Sequence, residues 1–314
     1  STAAVEEEVG DGLKAVAVVG DVGTATARYR DEMDQAVNLL RNRGASVETF
    51  YYGERSFGWS QGVTALTGAH VLLYIGHGVY WEGACTQPDL VGGFYLHPEK
   101  DGVSGYVHPD QIRNDLAGRM AEGAVVILSH ACYAAGDATC PDQPSDWPSQ
   151  AEAERHVEMY AAPFVDIGVE AYFANNYYGS TTDFVDRLLA EDPMTLGDVF
   201  KRVSPYDASE FRDLSYPKTG YDLWLSGTTG SWDHAFVGIP DHVFNQPQLG
   251  LLPDALEFLY FTGDGSFLPS IHTVTPENVS SSHTLSWEVT AEGDWFVVTP
   301  SSGETSTAST TETG

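Results

Sequence analysis

The chain has 314 residues, 42% of them hydrophobic and 12% aromatic, which supports a sizeable core, excludes wholesale disorder and allows two domains. Forty-five acidic residues against 15 basic ones leave a formal net charge of −30. That field repels nucleic acid and anionic lipid and draws in cations and basic polypeptides. No apolar run approaches the roughly 18 residues a membrane span needs. Lysine occurs only at Lys14, Lys100, Lys201 and Lys218, a pattern that suits high salt but that biased base composition would also produce.

Residues 1–14 read as an acidic lead-in. The chain opens at Ser1 with no signal peptide, as a mature secreted protein or a trimmed chain would, and an extracellular or cell-surface setting is expected. Ala15 to Val19 is a short apolar run that suits a buried parallel strand. Tyr29, Met33, Ala36 and Leu40 then recur at helical spacing, with Gly44 placed to end the helix. A strand over Val47–Tyr52 and a short helix over Gln61–Leu66 lead to a third strand, Val71–Ile75. Val79 to Pro109, rich in Gly, Pro and aromatics, reads as a long insertion. A helix marked by Ile112, Leu116 and Met120 precedes a fourth strand, Val125–Leu128. After a Pro/Asp-rich loop from Gly136 to Ser149, a helix from about Ala151 to Ala161 leads into a strand over Val169–Ala174. Thr181–Leu189 is helical, and a further helix starts at Thr195, with Asp198 three residues on completing a capping box. Ala235–Val237 reads as the last strand of the domain. Strands alternating with helices predict an α/β fold with a mostly parallel sheet covered on both faces, over residues 15–247.

From 248 to 314 helical periodicity fades. Leu285 to Val289 and Trp295 to Val298 alternate like strands, Pro300 to Gly303 is a turn, and the Ser/Thr-rich end reads as linker. Asn278-Val279-Ser280 is a glycosylation sequon, a weak signal alone.

Two strand ends carry the chemistry. Leu72-Leu73-Tyr74-Ile75 runs into Gly76-His77-Gly78, and Val125-Val126-Ile127-Leu128 runs into Ser129-His130-Ala131-Cys132. The C-terminal ends of parallel strands face the crevice where open α/β sheets bind ligands. A Cys and a His delivered there are the parts of a thiolate nucleophile and its acid–base partner. A lone Cys is most often an inert core thiol and a lone His a satisfied structural one. Their joint placement favours catalysis. His130, two residues before Cys132, is a rival base on the same strand, ranked below His77.

Cys85 and Cys140 lie eight residues after His77 and Cys132 respectively. A disulfide between them and two unrelated loop thiols are evenly matched readings. No sequence pattern demands a metal or cofactor. The acid-rich loop Asp137 to Asp146 offers the oxygen ligands a structural Ca²⁺ takes, although a solvated loop is the plainer reading.

The order strand–His-Gly, insertion, helix, strand–Ala-Cys resembles that of the caspase-like cysteine peptidases, which include caspases, legumains, clostripain and gingipains. Leu188-Leu189 and Leu196-Gly197-Asp198, in helices after the fifth strand, are similar to the gingipain and clostripain branch. The resemblance implies a caspase-like three-layer fold, His77 as general acid–base, Cys132 as nucleophile, and the backbone N–H groups of Gly78 and Cys132 as oxyanion hole. It implies a polypeptide substrate, with a basic P1 residue in that branch, and leaves the oligomeric state open. A basic P1 needs a buried carboxylate, for which chain order offers Asp137 and Asp183, with Asp21 more distant. The C-terminal segment resembles the opening strands of immunoglobulin-like modules of the BACON type, at about half the ~100 residues of such a sandwich. That segment also keeps a second expectation alive, an extracellular structural or adhesive protein built on an inactive peptidase fold.

Overall fold

Apolar runs become the middle of a sheet because helices cover both of its faces. In the computed structural model the described residues are 13–53, 58–78, 91–98, 105–137, 148–176, 180–190, 192–204, 211–227, 232–244, 249–252, 259–261, 266–268, 273–278, 285–289, 297 and 299–305. In chain order the first unit contains β1 (Lys14–Val19), α1 (Thr26–Asn42), β2 (Ser46–Tyr51), α2 (Trp59–Leu66) and β3 (Val71–Ile75). Next come β4 (Phe94–Tyr95), β5 (Tyr106–Val107), α3 (Pro109–Leu116), β6 (Val125–Ser129), α4 (Gln150–Asp166) and β7 (Ala171–Asn175). It ends with α5 (Thr181–Leu188), α6 (Leu196–Val203), β8 (Phe211–Ser215), β9 (Asp222–Ser226) and β10 (His234–Gly238).

Eight of these strands form one sheet in the order β2-β1-β3-β6-β7-β10-β9-β8. The first five are parallel, and β10, β9 and β8 continue the sheet antiparallel. Every residue of β3, β6 and β7 is buried, as expected of strands covered on both faces. Alternate side chains face opposite layers. Val18, Leu72, Tyr74, Val126 and Leu128 pack against Leu66 of α2, Ile112 and Leu116 of α3, and Val157 and Phe164 of α4. Val19, Leu73, Ile75, Ile127 and Phe173 pack against Met33 and Leu40 of α1, Phe184 of α5 and Phe200 of α6. The result is a three-layer α/β fold with a mostly parallel sheet.

The chain reverses direction once inside the parallel part. It leaves β1 for the outer β2, then returns to the other side of β1 to lay down β3, β6 and β7. The switch point therefore lies between β1 and β3, the place where open α/β sheets leave a crevice above their C-terminal strand ends.

Several elements depart from the sequence reading. β8 and β9 were not expected, because the edge strand carries Arg212 and Asp213 and its burial is only partial. The long insertion holds a two-residue strand pair, β4 with β5. α4 runs through Pro163 to Asp166, five residues past the expected end.

The second compact unit spans 245–314, close to the expected boundary at 247. Its described strands pair antiparallel: Leu249–Leu252 with Thr275–Asn278, Leu259–Phe261 with Ser266–Leu268, and Leu285–Glu288 with Ser302–Thr305. The Trp295–Val298 run falls outside the described residues apart from Val297. Among the described residues no helix is long and apolar enough to cross a membrane.

Candidate active site

A cavity of about 390 Å³ opens at the switch point, lined by Asp21, Gly23, His77, Gly78, Tyr95, His97, Pro98 and Cys132. Asp21 and Gly23 follow β1, His77 and Gly78 follow β3, and Cys132 follows β6. Three neighbouring parallel strands thus deliver a carboxylate, an imidazole and a thiol to one space. His77 is exposed and Cys132 half-buried.

Cys132 sits on a strained turn. The two non-glycine residues with left-handed backbone among those described are His130 (φ 57°) and Tyr133 (φ 70°), on either side of it. Such conformations cost on the order of 1 kcal/mol each and persist only where the surroundings over-determine them. Here the surroundings are specific. The His130 N–H donates to Asn175 O at 2.9 Å, and the ring stacks on Tyr29 of α1 with centroids 4.7 Å apart and planes 6° from parallel. His130 Nε2 lies 3.2 Å from Glu32 Oε2. Tyr133 is fully buried with its ring edge-on to His156 of α4 at 4.6 Å. The Tyr172 hydroxyl donates to Ala134 O at 2.9 Å. His130 is thereby anchored to α1, while Cys132 packs with the core on the opposite face. The two do not lie on one strand, because β6 ends at Ser129 and the backbone turns at His130.

The His77 end is held by the insertion, which crosses above β1 and β3. The Tyr95 N–H donates to His77 O at 3.2 Å, and the Asp21 N–H donates to Leu96 O at 3.3 Å. The fully buried Tyr74 hydroxyl lies 2.8 Å from both His77 O and Tyr95 O, tying strand end and insertion together. Tyr74→Phe is expected to lower the unfolding free energy by about 1–3 kcal/mol, since it removes the buried hydroxyl that bonds both carbonyls. A urea midpoint equal to wild type would show that the hydroxyl does not hold this junction. The insertion also contributes Tyr95, His97 and Pro98 to the cavity wall. Sequence reasoning missed all three, because two-residue strands carry no periodic signal. His97 is a second imidazole in the cavity, with Nδ1 2.7 Å from Pro98 O.

Gly78 meets the Cys132 turn backbone to backbone. A Cβ there would lie 2.2 Å from Cys132 O, 2.9 Å from Cys132 N and 2.5 Å from the Tyr160 hydroxyl oxygen. Only glycine fits, and this brings together the two residues expected to supply oxyanion donors.

The three candidate pocket carboxylates have different fates. Asp21 lines the cavity, while its Oδ1 accepts from the Gly23 N–H at 3.0 Å and shapes the β1–α1 turn. Asp183 is exposed and is not among the lining residues. Its Oδ2 accepts from the Ser180 N–H and hydroxyl at the start of α5, at 3.0 and 2.9 Å. It caps a helix instead of flooring a pocket. Asp137 is 6% exposed and lies behind the Cys132 turn, accepting from Asn176 Nδ2. Burial pushes its carboxyl up to about 7, with the Asp233 carboxylate adding to the rise and hydrogen bonds from backbone and Asn176 opposing it. Burial, followed by the charge of Asp137, pushes the Cys132 thiol up to about 11. Near neutral pH Cys132 therefore holds its proton as a neutral thiol.

Cys85 and Cys140 lie outside the described residues, so their pairing does too. The same holds for 138–147, which carry most of the candidate Ca²⁺ ligands. Among the described residues no three His, Cys, Asp or Glu side chains group as a metal site. No protein-family model matches the chain, and no curated protein matches it either.

Proposed function

We propose that the chain is a caspase-like cysteine endopeptidase of the gingipain and clostripain kind, working outside the cell. The observation that carries this reading is the single cavity at the switch point shared by His77, Gly78 and Cys132. Cys132 Sγ attacks the peptide carbonyl carbon while His77 accepts the thiol proton. The tetrahedral oxyanion is received by backbone N–H groups at Gly78 and Cys132. His77 then passes the proton to the departing amine, leaving an acyl-enzyme, and activates the water that releases the acid. The net charge of −30 and the carboxylate of Asp21 in the cavity support a basic P1 residue.

A peptidyl acyloxymethyl ketone with Arg or Lys at P1 is expected to add once, at Cys132, as read by mass spectrometry of the digested protein. A fluorogenic panel varying only P1 should favour Arg and Lys. Preferred turnover of Asn, Asp or apolar P1 substrates would remove the basic-P1 part. The raised thiol of Cys132 favours a second reading, an extracellular structural or adhesive protein on an inactive peptidase fold. Absence of both labelling and turnover across the panel would select it.

A further inference from the structure

Behind Cys132 lies a carboxylate that no cation among the described residues neutralises. Asp137 ends the turn that starts at His130. Its Oδ2 accepts from Asn176 Nδ2, while its buried Oδ1 has no hydrogen-bond partner among the described residues. Among the described residues no Lys or Arg forms an ion pair with it. Each surrounding element presents a named group. The turn itself contributes Cys132 and the Tyr133 backbone. β7 and its end contribute Tyr172 and Asn176. The start of β10 contributes Asp233, 1% exposed, beside His234, whose Nδ1 is 2.9 Å from Asp233 Oδ2. α4 closes the back, with Ala153 against Gly136 and His156 against Tyr133. Asp137 and Cys132 therefore share a region of low dielectric, where burial favours the neutral form of each, and the charge of Asp233 opposes ionisation of Asp137.

We propose that Asp137 is a positioning residue that governs the proton on Cys132: with Asp137 charged the thiol keeps its proton, and with Asp137 protonated the thiolate forms more readily. The mechanism above gives His77 the task of removing that proton but leaves open what sets its cost. Asp137 sets it, because a buried like charge on the same turn as the sulfur disfavours the thiolate. The proton on Asp137 is in turn held by burial and by Asp233. Because Asp137 titrates near neutrality, the coupling operates where an extracellular enzyme would work. The proposal rests on the peptidase reading only for its effect on cleavage, since thiol alkylation reads it directly.

Alkylation of Cys132 by the neutral reagent iodoacetamide, followed peptide by peptide as a function of pH, tests it. In the wild type the rate should climb with pH, flatten over about pH 6–8 as Asp137 ionises, then climb again. Asp137→Asn should climb without the flattening. It should react about threefold faster at pH 8, the gain in thiolate being partly offset by the weaker nucleophilicity of a more acidic thiol. Asp233→Asn should move the flattening to lower pH, because Asp137 then ionises more easily. A purely structural role for Asp137 predicts neither change of profile. Folding is checked independently. The stability contributed by Asp137 is complete below about pH 4 and is lost as pH rises through about 7, because its folded-state titration lies above the ordinary one. Asp137→Asn should therefore melt with wild type at pH 4 and above it at pH 8. A single unbroken climb in the wild type, or an Asp137→Asn profile that superimposes on it, overturns the proposal. The predicted profiles without peptide cleavage would instead overturn the peptidase reading alone.

Discussion

Cys132→Ala should lower peptide cleavage by roughly four or more orders of magnitude, because the proposed mechanism carries the acyl group on this sulfur. The fold should survive the change. The side chain is half-buried and loses only a sulfur. A stability change within about 1.5 kcal/mol is expected for so small a substitution. Circular dichroism and thermal melting of the purified variant check the fold, and a fluorogenic peptide turned over by wild type checks the activity. His77→Ala, measured beside it, should cost about 10²–10⁴-fold as the loss of an acid–base group. His97→Ala should cost far less if the second imidazole only shapes the wall. Cleavage that survives Cys132→Ala, or a larger loss at His97 than at His77, would refute the assignment of roles.

The second large effect is expected at Gly78→Ala. The added methyl meets the backbone of Cys132 at 2.2 and 2.9 Å, and backbone cannot yield as the tip of a flexible side chain can. Either the end of β3 or the strained turn must shift, and that turn is already pinned at His130 and Tyr133. A loss of about 2–4 kcal/mol in stability is expected from overpacking of this severity. Labelling of Cys132 by a peptidyl ketone should fall by about 10²-fold, since a displacement near 1 Å is enough to misalign attack. Wild-type values for both the melting temperature and the labelling rate would show that the two backbones are not in the close contact described.

The sequence revealed most where burial is continuous. The apolar runs of β1, β3, β6 and β7 and the helical spacing of Met33, Ala36 and Leu40 are unambiguous because one environment acts along the whole element. Thr195 was legible as a cap, and its hydroxyl accepts from the Asp198 N–H at 3.2 Å. The antiparallel edge was hidden because β8 alternates only weakly, with Arg212 and Asp213 near solvent. At the site, strand ends pointed to His77 and Cys132, but the path of a turn depends on contacts far away in sequence. His130 leaves the face of Cys132 because Tyr29 and Glu32, about 100 residues earlier, hold it. Asp137, at the start of a Pro/Asp-rich loop, was a candidate for the carboxylate at the bottom of a P1 pocket. Only the arrival of Asn176 and Asp233 from other strands buries it.

The segment Tyr95–Pro98 joins the sheet ends largely through main-chain atoms: Tyr95 N–H to His77, Leu96 carbonyl to Asp21, and Tyr95 carbonyl to the Tyr74 hydroxyl. Main-chain bonds are indifferent to the identity of the side chains they carry. The wall of the cavity is thus an exchangeable part bolted to a fixed frame of strand ends. Randomising Tyr95, His97 and Pro98 while leaving Tyr74, His77, Gly78 and Cys132 untouched would vary which ligands fit and spare the machinery beneath, so this chain offers a natural division of labour between selectivity and chemistry for directed evolution.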